Sequence, residues 1–366
     1  MGGFVVRAFM AVMAVAEAAG AASDRGANPV WPPPPAKARI AYVRSLYGPA
    51  DLGVKPSGLS RLGHILAGAD AKTRRFGRPF GIALDEAGNL CLTDMERQSV
   101  LVFDQARKKV GIWDRVGALS FRAPVAVARR AGIAYVADSE LGAVVAFDDE
   151  GRVRFELREG MRRPCGLAVA GDRLFVADAA AESVAVFSLA GKPLARFGQR
   201  GAGPDEFNHP THLAAGPGPV LLVTDSLNCR VGVYDLDGHA RRTVGRAGDA
   251  TGTFTRPKGV AMDRAGRIYV VDAAFDNLQV FDAEGRLLLH LGGTGSDPGR
   301  FWLPNGIAAG EDGRLFVTDS YNRRVQEFRY VGPPEPGLEV PNEADKTAGD
   351  GPPASDPRTP PSRPSP

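Results

Sequence analysis

His209 and His212 stand three residues apart in His-Pro-Thr-His, and such a pair invites a metal reading. On an extended strand, residues three apart are about 10 Å apart and point to opposite faces. Zinc ligands each sit about 2 Å from the ion, so these two do not form a site by themselves. Cys91, Cys165 and Cys229 offer no zinc spacing, and their number is odd. They read as buried free thiols, although a periplasmic address would permit disulfides. A second kind of chemistry is anion binding, for which Lys72, Arg74, Arg75 and Arg78 form the densest basic cluster. Arg163, Arg256 and Lys258 extend it. The formal net charge of +3 is too small to imply nucleic acid.

These residues are placed by a repeat. Prolines 79, 124, 164, 210, 257 and 304 each open the same phrase. Two residues on stand Gly81, Ala126, Gly166, His212, Gly259 and Gly306, and two further on an alanine in every copy. A β-rich run then ends in Asp94, Asp138, Asp178, Asp225, Asp272 or Asp319. Three residues before each proline lies Phe76, Phe121, Met161, Phe207, Phe254 or Phe301. A period of about 40–47 residues with four short strands is that of a propeller blade. Near-continuous apolar strands such as IYVV suit sheets covered on both faces. Inner strands opening on Gly and Ala suit a place where backbones crowd. The predicted fold is all-β, a six-bladed β-propeller of four-stranded antiparallel blades.

The phrases Pro-x-Gly-Ile/Val-Ala, the strand ending in Val-x-Asp, and the Asn-rich opening of the third strand resemble the NHL-repeat family of six-bladed propellers. They stand in full in NGIAAGEDGRLFVTDSYNRRVQEF and for the most part in RPKGVAMDRAGRIYVVDAAFDNLQVF. The resemblance covers roughly residues 76–330 and implies the fold. It implies no single activity, since the family holds binding scaffolds and a few enzymes. An enzyme on this scaffold would resemble the calcium-dependent gluconolactonase-like propellers or the zinc-dependent amidating lyase.

The chain divides into residues 1–22, read as a secretory signal peptide, a Pro-rich linker at 23–37, the propeller at 38–331, and a disordered Pro-rich tail at 332–366. The last repeat stops after its third strand, and Ile40–Leu46 is a spare strand ahead of the first. It is expected to complete the last blade and close the ring, because a three-stranded blade would leave an open edge. Residues 59–67 place Leu59, Leu62, Ile65 and Leu66 on one helical face. That helix either covers the seam or forms a lid over the channel mouth.

Within this frame His212 occupies a position that is Gly or Ala in the other copies, so it projects at the channel or replaces packing near it. The six aspartates are expected to bond backbone N–H groups of following loops, as Asx turns do, rather than to catalyse. The residues after the prolines, Phe80, Val125, Cys165, Thr211, Lys258 and Asn305, include no carboxylate. That weakens a calcium site, which needs gathered oxygens. The inter-blade loops are rich in arginine, and the acids Glu96, Glu140, Glu182 and Asp276 offset much of that charge. The face is then either a solvated mixed surface or a basic patch for an acidic peptide or glycan. The expectation is a periplasmic or secreted, monomeric binding scaffold without a cofactor, membrane span or nucleic-acid partner. It would use His209, His212, Lys72, Arg74, Arg75, Arg78, Arg163, Arg256, Lys258 and Asn305 toward a protein or other macromolecule. The alternative is a zinc- or calcium-dependent lyase or lactonase.

Overall fold

The computed structural model describes residues 28–54 and 75–333. The signal-like segment, most of the C-terminal tail, the stretch 59–67, and Lys72 and Arg74 lie outside them. Six antiparallel sheets form the blades, and the first five are each built from four consecutive strands in simple up-and-down order. Their inner strands are Pro79–Leu84, Pro124–Arg130, Pro164–Ala170, Pro210–Ala215, Pro257–Met262 and Pro304–Ala309. We number the blades 1 to 6 in that order.

The ring is closed by the chain's other end. Strand β1 (Val30–Trp31) and strand β2 (Ile40–Leu46) add to the outer side of blade 6, which is thereby five-stranded. β2 pairs antiparallel with Arg324–Tyr330, Ile40 opposite Tyr330 and Leu46 opposite Val325. Val30 and Trp31, which fall in the stretch read from sequence as a linker, pair with Ala41 and Ile40. The reason is packing: the Trp31 ring lies 5.9 Å from that of Phe328, edge-on. At the inner side Ser320 Oγ donates to the Pro79 carbonyl (2.7 Å) and Thr318 Oγ1 to that of Phe80 (2.8 Å), tying blade 6 to blade 1.

Between blades the facing sheets share apolar clusters. Blades 5 and 6 meet through Tyr269, Val271, Leu278, Phe301, Leu315 and Phe328, with Ile40 and Tyr42 of β2 in the same cluster. The phenylalanine three residues before each inner-strand proline is buried in five blades. Each such ring contributes about 1.5–3 kcal/mol by leaving water. Close to the axis there is no room for side chains of ordinary size. A Cβ at Gly81 would come within 2.6 Å of the Val125 carbonyl, and one at Gly166 within 2.6 Å of that of Thr211. The copies that carry a larger residue, Ala126 and His212, are thus each received by a glycine in the preceding blade.

Candidate functional site: the axial mouth

The six second-strand aspartates sit at the face where the inter-blade loops emerge, each paired in register with its blade's proline. All are buried. Asp138 accepts from the N–H groups of Arg122, Ala123, Glu140 and Leu141 at 2.7–3.1 Å, so one carboxylate binds the entering loop and its own hairpin together. Asp178 does the same for Arg162, Arg163, Ala180 and Ala181. The aspartates are structural, but only Asp94, Asp138, Asp178 and Asp272 make the following-loop N–H bonds expected from sequence. Asp225 and Asp319 accept instead from the entering loop and from side-chain amides and an arginine.

In blades 4 and 6 the residue before the proline is held differently. His209 (φ +67°) gives its N–H to Glu182 Oε2 of blade 3 at 2.6 Å, and Leu303 (φ +49°) gives its N–H to Asp276 Oδ1 of blade 5 at 2.7 Å. Glu182 and Asp276 are thereby engaged as acceptors. Glu96 is paired with Arg323 at 3.0 Å. These acids, which in the sequence reading offset the basic loops, are partly withdrawn into structure.

On the axis, a cavity of about 40 Å³ is lined by inner-strand residues including Gly81, Val127, Gly166, Gly259 and Gly306, with His212 as its one ionisable side chain. His212 Nε2 lies 2.9 Å from Asn305 Oδ1, so with that oxygen as acceptor Nε2 carries the proton. The bond runs from blade 4 to blade 6 past blade 5. Nδ1 is buried without a partner. Burial, reinforced by the charge of Lys258, pushes the imidazole down to about 3, against the bond from Asn305. It is a neutral group facing only the narrow lumen. His209, by contrast, is on the loop face, its pKa lowered by burial and by Lys258 and Arg163. The two histidines share no site.

Lys258 and Asn305 both follow inner-strand prolines, at the channel mouth. Lys258 is half-buried, and no carboxylate lies within ion-pair distance of it among the described residues. Burial lowers its amine first, and Arg256 and Arg163 lower it further. Arg78, Arg163 and Arg256 immediately precede the prolines of blades 1, 3 and 5, alternate positions around the ring. Arg163 and Arg256 are exposed, and Arg78 is half-buried with Nε unpartnered. Arg75 is exposed near Tyr47, 6.0 Å from its ring centroid. Cys165, beside this group, donates to the Pro210 carbonyl at 3.2 Å, and burial pushes its thiol up to about 12. It is an inert thiol.

The sequence reading missed an aromatic pair. Trp302 and Tyr321 of blade 6 are both about half exposed on the loop face, their rings 5.8 Å apart. The signal was present, since Trp302 stands two before its proline where other copies have Gly77, Arg122, Arg162, Asn208 and Thr255.

Calcium takes six to eight oxygens and catalytic zinc three protein ligands. The mouth offers no carboxylate at the positions after the prolines, Asn305 Oδ1 is taken by His212, and Lys258 adds positive charge. Among the described residues no group of three or more His, Cys, Asp or Glu side chains is placed to hold an ion. The donor set does not fit such a metal. Among the same residues no helix is long and apolar enough to cross a membrane.

The architecture is that of a six-bladed β-propeller closed by its N-terminal strand. The model of the SMP-30/Gluconolactonase/LRE-like region matches residues 79–292, more than half of the chain, and the chain belongs to that family. An NHL repeat matches at 301–328. No curated protein matches the sequence. Among solved structures, a gluconolactonase of Xanthomonas campestris superposes with a TM-score of 0.53 at 19% identity, covering 70% of this chain and 86% of that one. A streptogramin B lyase gives 0.52 at 12%, covering 70% and 94%. Virginiamycin B lyase of Staphylococcus aureus, inactivated and with quinupristin, gives 0.52 at 12%, covering 69% and 95%. At such identities the likeness is one of fold.

Proposed function

We propose that this protein is an exported binding propeller that docks an acidic segment of a partner protein on the loop face. The observation that carries the reading is the charge state of the mouth: Lys258, Arg163 and Arg256 have no ion-pair partner among the described residues, while neighbouring acids are engaged elsewhere. Cations left unpaired on one face attract an acidic partner and hasten its encounter. Trp302 and Tyr321 supply the kind of rigid, partly apolar anchor that dominates interface energetics. The leader-like residues 1–22 support the exported location.

The competing reading, a metal-dependent lactonase or lyase, draws on the family and on the folds of gluconolactonase and the streptogramin lyases. The mouth's lack of a carboxylate donor set weighs against it.

The test is fluorescence anisotropy with a labelled Asp/Glu-rich peptide at two salt concentrations. Binding should weaken with salt, and Trp302→Ala should weaken it by about tenfold or more. Tight binding of a single-stranded oligonucleotide with none of the peptide would overturn the reading. So would stoichiometric zinc or calcium in purified protein together with lactone hydrolysis.

A further inference from the structure

We propose that Lys258 and Asn305 form an anion subsite on the propeller axis, which receives one carboxylate of the ligand. The inference deepens the docking reading above and rests on it for the ligand's class. Of the six residues that follow the inner-strand prolines, Lys258 alone is charged. It is half-buried, and its charged neighbours Arg163 and Arg256 are cations too. An ammonium drawn partly out of water beside like charges is destabilised until an anion joins it.

The surrounding polar atoms select the ligand's sign. Asn305 Oδ1 is taken by His212 Nε2, whereas Asn305 Nδ2 makes no hydrogen bond among the described residues. Thr211 Oγ1 is spent on Ser226 Oγ at 2.7 Å, and Ser226 Oγ donates onward to the Pro257 carbonyl at 2.8 Å. The Cys165 thiol donates to backbone carbonyls. Among the side chains that follow the prolines, the donors left open are the Lys258 ammonium and the Asn305 amide N–H, and two donors suit one carboxylate.

Depth limits the ligand as well. The His212–Asn305 bond crosses from blade 4 to blade 6, and the axial cavity of about 40 Å³ has room for only a few water molecules. A ligand therefore ends at the mouth and does not thread the channel. A side-chain or terminal carboxylate of a docked segment fits such a blind site, and so does a free small dicarboxylic acid.

The experiment reads Lys258 directly. Lysines are reductively methylated with ¹³C-formaldehyde, and the Lys258 signal is assigned by its loss in Lys258→Gln. Glutarate, inorganic phosphate and the acidic peptide are then added separately to the full chain. Glutarate and peptide should each shift the Lys258 signal, and Lys258→Gln should weaken the peptide by about tenfold while Arg200→Gln on the rim changes it less than about twofold. Circular dichroism establishes that both variants are folded. A signal that moves only with phosphate, or with none of the three, overturns the subsite. Peptide binding that is equal in wild type and Lys258→Gln also overturns it and leaves the docking face standing. A glutarate shift without peptide binding upholds the subsite and removes the docking face instead.

Discussion

Blades 2 and 3 and blades 4 and 6 use the same aspartate in two ways. In blades 2 and 3, Asp138 and Asp178 accept from four backbone N–H groups each. In blades 4 and 6 a third-strand arginine joins in. Arg324 Nε bonds Asp319 Oδ2 at 2.7 Å while its other nitrogens donate to the carbonyls of Ser296, Asp297 and Arg300. Arg230 repeats this with Asp225 at 3.0 Å and the carbonyls of Ala202, Gly203 and Glu206. These loops turn carbonyls toward the sheet that a carboxylate, itself only an acceptor, cannot serve, and a guanidinium with five donors fills that need. The arginine thus ties the entering loops of blades 4 and 6 to their sheets.

Breaking the arginine tie should give the largest effect. Arg324→Ala leaves Asp319 buried and charged without its cation, a loss of about 3–5 kcal/mol read as a lower denaturant midpoint. Arg230→Ala should lose less, because Arg230 is 14% exposed against 2% for Arg324. Equal losses in the two blades would mean that burial of the pair does not set its worth.

Blades 4 and 6 differ from each other at the axis, where blade 4 carries His212 and blade 6 its partner Asn305 followed by Gly306. The folded pKa of His212, about 3, lies below the ordinary 6.5 of the unfolded chain. The unfolded state therefore binds the extra proton between those values. Stability is full above about 6.5 and declines as pH falls toward about 3. Between pH 7 and 5 this one group should remove about 2 kcal/mol. Urea midpoints of wild type and His212→Gln across that range measure it, and parallel slopes would contradict a buried neutral imidazole.

Two glycines separate backbone strain from overpacking, and the one in a hairpin should show the smallest effect. Gly245, in the loop entering blade 5, has φ +72°, and a Cβ there would strike the Phe254 ring. Gly171, in a blade 3 hairpin, has φ +59° with nothing within 4 Å. Gly171→Ala should lose about 1 kcal/mol from backbone strain alone, and Gly245→Ala about 1–3 kcal/mol more from overpacking. Thermal melts of the pair separate the two contributions.

What the sequence determined by itself was the architecture. Four registers kept through six copies fix strand order, the aspartate caps and the buried phenylalanines, because every blade must present the same faces to its neighbours. The unfinished last copy likewise predicted closure by Ile40–Leu46, since a three-stranded blade leaves an edge unpaired. Only the tertiary structure decided the site. That His212 reaches Asn305 across 93 residues of chain, that Glu182 and Asp276 are withdrawn to hold His209 and Leu303, and that Trp302 meets Tyr321 depend on distances across the ring. A repeat specifies how each blade contacts the next. It does not specify what non-repeating side chains from different blades meet at the axis, where the six strands converge.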